Sequence, residues 1–149
     1  MKKVYLFDGS LIPSKYMYSE KELFDNTELY MIPSFRMPVA TGYKLGVKGP
    51  TRVILINEDF SKLSHDQRLF ALYHEVGHYE CGHLDMARGQ RNIKLEIEAD
   101  IYATNRLIEE LNITPSIAIN IFIDTMITLG LNKKETNYRV NAMENYYNI

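Results

Sequence analysis

The chain has 149 residues, of which 46% are hydrophobic and 24% charged, the balance of an ordinary globular domain able to bury a core without a covalent staple. Its formal net charge of −2 leaves no basic footprint for nucleic acid or for an anionic membrane. Cys81 is the only cysteine, which excludes an intramolecular disulfide and suits a reducing compartment. At the N-terminus two lysines precede only four apolar residues, Val4-Tyr5-Leu6-Phe7, too few for the apolar core of a signal peptide. No run approaches the roughly 18 apolar residues that a membrane span needs. The expectation is one cytoplasmic domain over residues 1–149, with no membrane and no direct nucleic-acid contact.

In chain order, the first half is punctuated by Pro13, Pro33, Pro38 and Pro50 and by Gly9, Gly42, Gly46 and Gly49. Short apolar runs at 4–7, 28–32 and 52–56 between them predict strands, and residues 15–24 predict a weak helix. The β-branched content of Arg52-Val53-Ile54-Leu55-Ile56 makes it the clearest strand; its edge offers itself to an extended peptide. The second half is helical. Ser64 followed by Gln67 has the spacing of a capping box, opening a helix that runs to about Cys81 and closes at Gly82. A second helix spans 92–111, with Ile93, Ile97, Ile101, Ile108 and Leu111 near helical spacing. Thr114-Pro115 starts a third, ending at Gly130, and Asn132 with Glu135 starts a fourth that reaches about Tyr146. The fold class is therefore α+β: a small N-terminal β-sheet packed on a helical C-terminal half, with 52–56 near the functional cleft.

All four histidines, His65, His74, His78 and His83, fall within one short stretch. His74 and His78 are four apart on a predicted helix and share a face. Two imidazoles at that spacing can reach one zinc ion, whose nitrogen ligands lie at about 2.0–2.1 Å. Glu75 leans beside that face, where its carboxylate can take a proton from a water that the metal acidifies. His74-Glu75-Val76-Gly77-His78 thus has the H-E-x-x-H arrangement of zinc hydrolases. Coincidence is the bland alternative, but the pattern lies inside a capped helix, the context that the chemistry requires. Gly77 costs a helix about 1 kcal/mol, so it points to close packing against another element.

An open zinc site needs a third protein ligand. The longer pattern H-E-x-x-H-x-x-G-x-x-H is not met, because Gly82 and His83 are each displaced by one position. His83 then reads as a polar residue just past a helix end, where positive charge is favoured. The better source is Glu96-Ile97-Glu98-Ala99-Asp100 on the second helix. Glu96 and Asp100 share a face: Glu96 can supply an oxygen to the metal, and Asp100 can accept a hydrogen bond from a ligand imidazole and set its tautomer. Glu98 is the fallback ligand and Cys81 the last choice. A solvated acidic face is the bland reading of this run, opposed by the neighbouring Ile97, Ala99 and Ile101. A donor for the oxyanion is also needed, for which Tyr138 and Arg139 are guesses among many tyrosines.

His74-Glu75-Val76-Gly77-His78, the preceding strand RVILIN and segment DQRLFALY, and the later EIEADIYATNRLI together resemble the ImmA/IrrE metallopeptidases over roughly residues 50–110. The second motif also resembles that of the wider glutamate-zincin group. The resemblance implies a zincin-like fold, zinc held by His74, His78 and Glu96, Glu75 as catalytic base and Asp100 as a partner of the ligands. It further implies a zinc endopeptidase of a phage or mobile element, an anti-repressor that cuts a helix-turn-helix repressor. Two departures stand out. Pro115 comes later after Leu107-Ile108-Glu109-Glu110-Leu111 than the family pattern has it, and the chain leaves no room for the DNA-binding domain that some members carry. The competing function is a metal-containing anti-repressor that binds its partner without cutting it, against which the intact Glu75 argues. A metalloamidase of the deformylase kind is weaker, because its cysteine ligand would precede His74 and none does.

Overall fold

The computed structural model describes residues 4–6, 21–24, 27–32, 35–46, 49–83 and 92–149. Among these residues five strands, β1 (Val4–Leu6), β2 (Lys21–Phe24), β3 (Thr27–Met31), β4 (Val39–Gly46) and β5 (Gly49–Ile56), form one sheet in the order β1-β4-β5-β3-β2. All neighbours are antiparallel except β3 and β5, which run parallel. β5 takes the centre because Val53, Ile54, Leu55 and Ile56 are apolar on both faces and all four are buried. Ile54 and Ile56 face one apolar cluster, Val53 and Leu55 another, the alternation of a pleated strand.

Two expectations for this half are corrected. Residues 52–56 offer no edge to a peptide, since β4 and β3 occupy both sides of β5. Within the weak helix expected over 15–24, Lys21–Phe24 is a strand paired with β3; residues 15–20 lie outside the described residues, as does Phe7 of the strand expected at 4–7. Strand β4 was not expected, because Gly42 and Gly46 read as punctuation. At Gly42 the ring of Tyr79 lands on the strand, its hydroxyl 3.2 Å from the Gly42 amide and 2.9 Å from that of Val53. That is the close approach to backbone that a glycine inside a strand often marks.

Among the described residues, a short 3₁₀ helix over Glu58–Lys62 leads into four helices: α1 (His65–Glu80), α2 (Ile93–Leu111), α3 (Pro115–Thr128) and α4 (Lys133–Tyr147). Their starts follow the sequence signals. Ser64 and Gln67 close a reciprocal capping box on α1, and Asn92, Thr114 and Asn132 each cap a helix through the side chain. Helix α1 is the middle layer. Leu72 and Val76 pack with Leu29, Ile54, Ile56 and Phe60 against the sheet. Phe70 and Tyr73 pack on its other side with Leu107, Phe122, Met126 and Met143 of the later helices. No single helix among the described residues is long and apolar enough to cross a membrane.

Gly77 brings α1 and α2 together. A Cβ there would stand 3.1 Å from Ala99 Cα and 3.1 Å from Tyr102 Cδ1, so backbone as well as side chain would have to yield. Gly77→Ala gains about 1 kcal/mol of helix propensity but overpacks a tight crossing at about 1–3 kcal/mol. The expected result is a net loss of up to about 2 kcal/mol in a denaturant titration. A variant more stable than the parent would mean that the helices part there without cost.

Candidate metal centre

The crossing of α1 and α2 brings the two motifs together. His74 and His78 lie one turn apart on α1; Glu96 and Asp100 lie one turn apart on α2, facing them. His74 Nε2 is 3.2 Å from His78 Nε2 and 3.0 Å from Glu96 Oε2, and His78 Nε2 is 3.7 Å from Glu96 Oε1. Tetrahedral ligands about 2.05 Å from a zinc ion stand roughly 3.3–3.4 Å from one another. The observed separations straddle that spacing, so the donor set fits the ion: His74, His78 and Glu96 could together hold a metal. Glu98 does not share this point. It is exposed at the side chain and turns to His83, 3.1 Å from its Nε2.

Asp100 faces His74 from α2. Its Oδ1 is 2.9 Å from His74 Nδ1, so it accepts the hydrogen bond that leaves Nε2 facing Glu96. Asp100 is itself clamped by Arg139, whose Nε and Nη2 donate at 2.7 Å to the two carboxylate oxygens. Arg139 is 3% exposed; its Nη1 also donates to Glu135 at 3.3 Å. Its guanidinium is therefore engaged in holding α4 to α2, rather than presented as an oxyanion donor. Tyr138, the other guess, is 60% exposed.

The electrostatics follow from crowding ionisable groups in a largely buried site. Burial opposes a charge on His74, but hydrogen bonds to Asp100 and Glu96 outweigh it and carry the imidazole up to about 10. His78 goes the other way, pushed down to about 3 by burial first and then by the charge on His74. Burial would raise Glu96, yet the hydrogen bond and charge of His74 hold its carboxyl well below the usual carboxylate range.

Glu75 is buried beside this group, its Oε2 3.7 Å from His78 Nε2. Thr41 of β4 donates to the same oxygen at 2.9 Å. Burial raises the Glu75 carboxyl above its ordinary value, a rise restrained by the charge on His74 and by the Thr41 hydrogen bond. That direction is the one a general base working near neutral pH requires.

Sequence reasoning did not foresee how three neighbours join the site. Thr41 lies on the strand that was not expected. Arg139 was named only as a guess for the oxyanion donor, and its clamp on Asp100 was not foreseen. His83 was read as a residue past a helix end, yet it is fully buried, with Nδ1 2.8 Å from His78 Nδ1. The one local sign was Gly82, whose φ of 75° turns the chain back after α1. Cys81 is half-buried on the side of His83 and Glu98, with which it forms a separate group of metal-ligating type.

No curated protein and no solved structure gives a significant match to the chain. A family model described as Peptidase U49 matches residues 55–139, which takes in the end of β5, the whole of α1, α2 and α3, and α4 as far as Arg139. With both motifs and the clamp on Asp100 inside a match that covers more than half of its residues, this chain belongs to the peptidase U49 family.

Proposed function

We propose that this peptidase is a zinc-dependent endopeptidase of the ImmA/IrrE, glutamate-zincin kind, with His74, His78 and Glu96 as its metal ligands. The observation that carries the reading is the convergence of two imidazole nitrogens and a carboxylate within 4.8 Å of one another, beside a buried carboxylate, in a chain of a peptidase family. Zinc bound there would polarise a scissile carbonyl and bring the pKa of a water to about 7. Glu75 takes a proton from the attacking water and returns it to the leaving amine, its carboxylate aimed by Thr41. Asp100 holds the ring of His74, and Arg139 offsets the negative charge that Glu96 and Asp100 bring to the site. The substrate we propose is a regulatory protein, a helix-turn-helix repressor of a phage or mobile element, met in the cytoplasm. That part rests on the resemblance carried by the two motifs.

Metal analysis of the purified full chain tests the centre. About one zinc per chain is expected, lost in a His74→Ala, His78→Ala double variant and strongly reduced in Glu96→Gln. Full zinc content in the double variant would refute the ligand set. Loss in Glu98→Gln with retention in Glu96→Gln would move the third ligand.

A further inference from the structure

His83 is a fully buried titratable side chain that the proposed chemistry leaves without a part. It stands between a proposed ligand and a surface carboxylate. Its Nδ1 is 2.8 Å from His78 Nδ1, and its Nε2 is 3.1 Å from Glu98 Oε2. A carboxylate only accepts, so the proton of this second contact sits on His83 Nε2. In the neutral imidazole Nδ1 then offers a lone pair. The partner facing it at 2.8 Å must be an N–H, which places the proton of His78 on Nδ1. His78 is left with its lone pair on Nε2, the nitrogen that faces His74 and Glu96 at 3.2 and 3.7 Å.

We infer that His83, backed by Glu98, is a positioning residue that selects the metal-binding tautomer of His78; the inference rests on the reading of His78 as a ligand. It makes the two imidazoles of α1 equivalent in design. Each is held at Nδ1 by an acceptor, Asp100 for His74 and His83 for His78, and each turns Nε2 to the same point. The arrangement also competes with an alternative. Cys81, His83 and Glu98 are close enough to hold an ion of their own. Such an ion would take the lone pair of His83 Nε2 and move the proton of His83 to Nδ1. His78 would then have to accept at Nδ1 and protonate Nε2, which would close it to the first site. The two arrangements compete for one proton, and only the hydrogen-bonded one is compatible with His78 as a ligand.

The experiment is a chelator competition with zinc on the full chain, joined to nitrogen NMR of the His78 ring in the zinc-loaded protein. His83→Ala is expected to weaken zinc binding about 10–100-fold, the usual effect of losing a hydrogen-bond partner of a ligand. It should also abolish the slowly exchanging Nδ1 proton of His78. His83→Asn should restore most of both, because its amide oxygen can stand near the place of Nδ1. Glu98→Ala, at an exposed side chain that can be changed without unfolding the protein, should weaken binding about 3–10-fold and speed exchange of the same proton. If His83→Ala does not fold, Glu98→Ala decides alone. Zinc affinity and His78 signals unchanged in the folded variants would overturn the inference. So would a second bound zinc that Cys81→Ser removes. Zinc retained by the His74→Ala, His78→Ala double variant would instead refute the metal centre itself, a separate result.

Discussion

Glu75→Gln is expected to remove proteolysis by a factor of about 10²–10⁴ while leaving the fold and most of the zinc in place. The carboxylate borders the proposed ligands without being one of them, and its Oε2 already accepts from Thr41 at 2.9 Å. A glutamine keeps an oxygen for Thr41 and fills the same volume, but it cannot take a proton. The measurement is cleavage of the proposed repressor substrate, co-expressed with the parent or the variant and followed by immunoblot, with zinc content measured beside it. Partner binding should survive in the variant. Equal relief of repression by both proteins, without repressor fragments in either, would mean that the protein acts by binding alone.

The largest expected effect on stability is at Arg139. Its guanidinium makes two 2.7 Å hydrogen bonds to Asp100, a carboxylate with no solvent exposure. Removing the guanidinium leaves the Asp100 charge buried with both arginine hydrogen bonds gone, and breaking such a buried pair typically costs about 3–5 kcal/mol. Arg139→Leu should therefore unfold at a much lower denaturant concentration. Because Asp100 holds His74, the same change should also loosen zinc. Adding Asp100→Asn should recover a substantial part of the lost stability by removing the stranded charge, without recovering metal affinity. A loss below about 1 kcal/mol in Arg139→Leu would show that the clamp contributes little beyond packing.

The helical half is legible in the sequence because its signals are local. Ser64 with Gln67, Asn92, Thr114-Pro115 and Asn132 with Glu135 each satisfy backbone amides within their own first turn, so the sequence carries the answer in a few adjacent residues. The spacing of His74 and His78, and of Glu96 and Asp100, likewise puts each pair on one helix face whatever the rest of the chain does. Gly77 announced a close contact through its cost to a helix, and Ala99 with Tyr102 is that contact.

Local spacing thus identifies which residues could do chemistry and on which helices they ride; how those helices meet is decided only in three dimensions. The choice between Glu96 and Glu98 as neighbour of the two imidazoles depended on the rotation of α2 against α1, a matter of side chains packing around Gly77. The position of β5 at the centre of the sheet, which removed its edge, depended on β3 and β4 pairing to either side, contacts between residues distant in the chain. Thr41, His83 and Arg139 reach the site from a strand, from beyond the C-terminus of α1, and from the last helix. Their hydrogen bonds to Glu75, His78 and Asp100 join positions 34, 5 and 39 apart in the chain. No local rule of capping or periodicity carries such information, because it arises only when burial forces each polar group to find a partner in the folded interior.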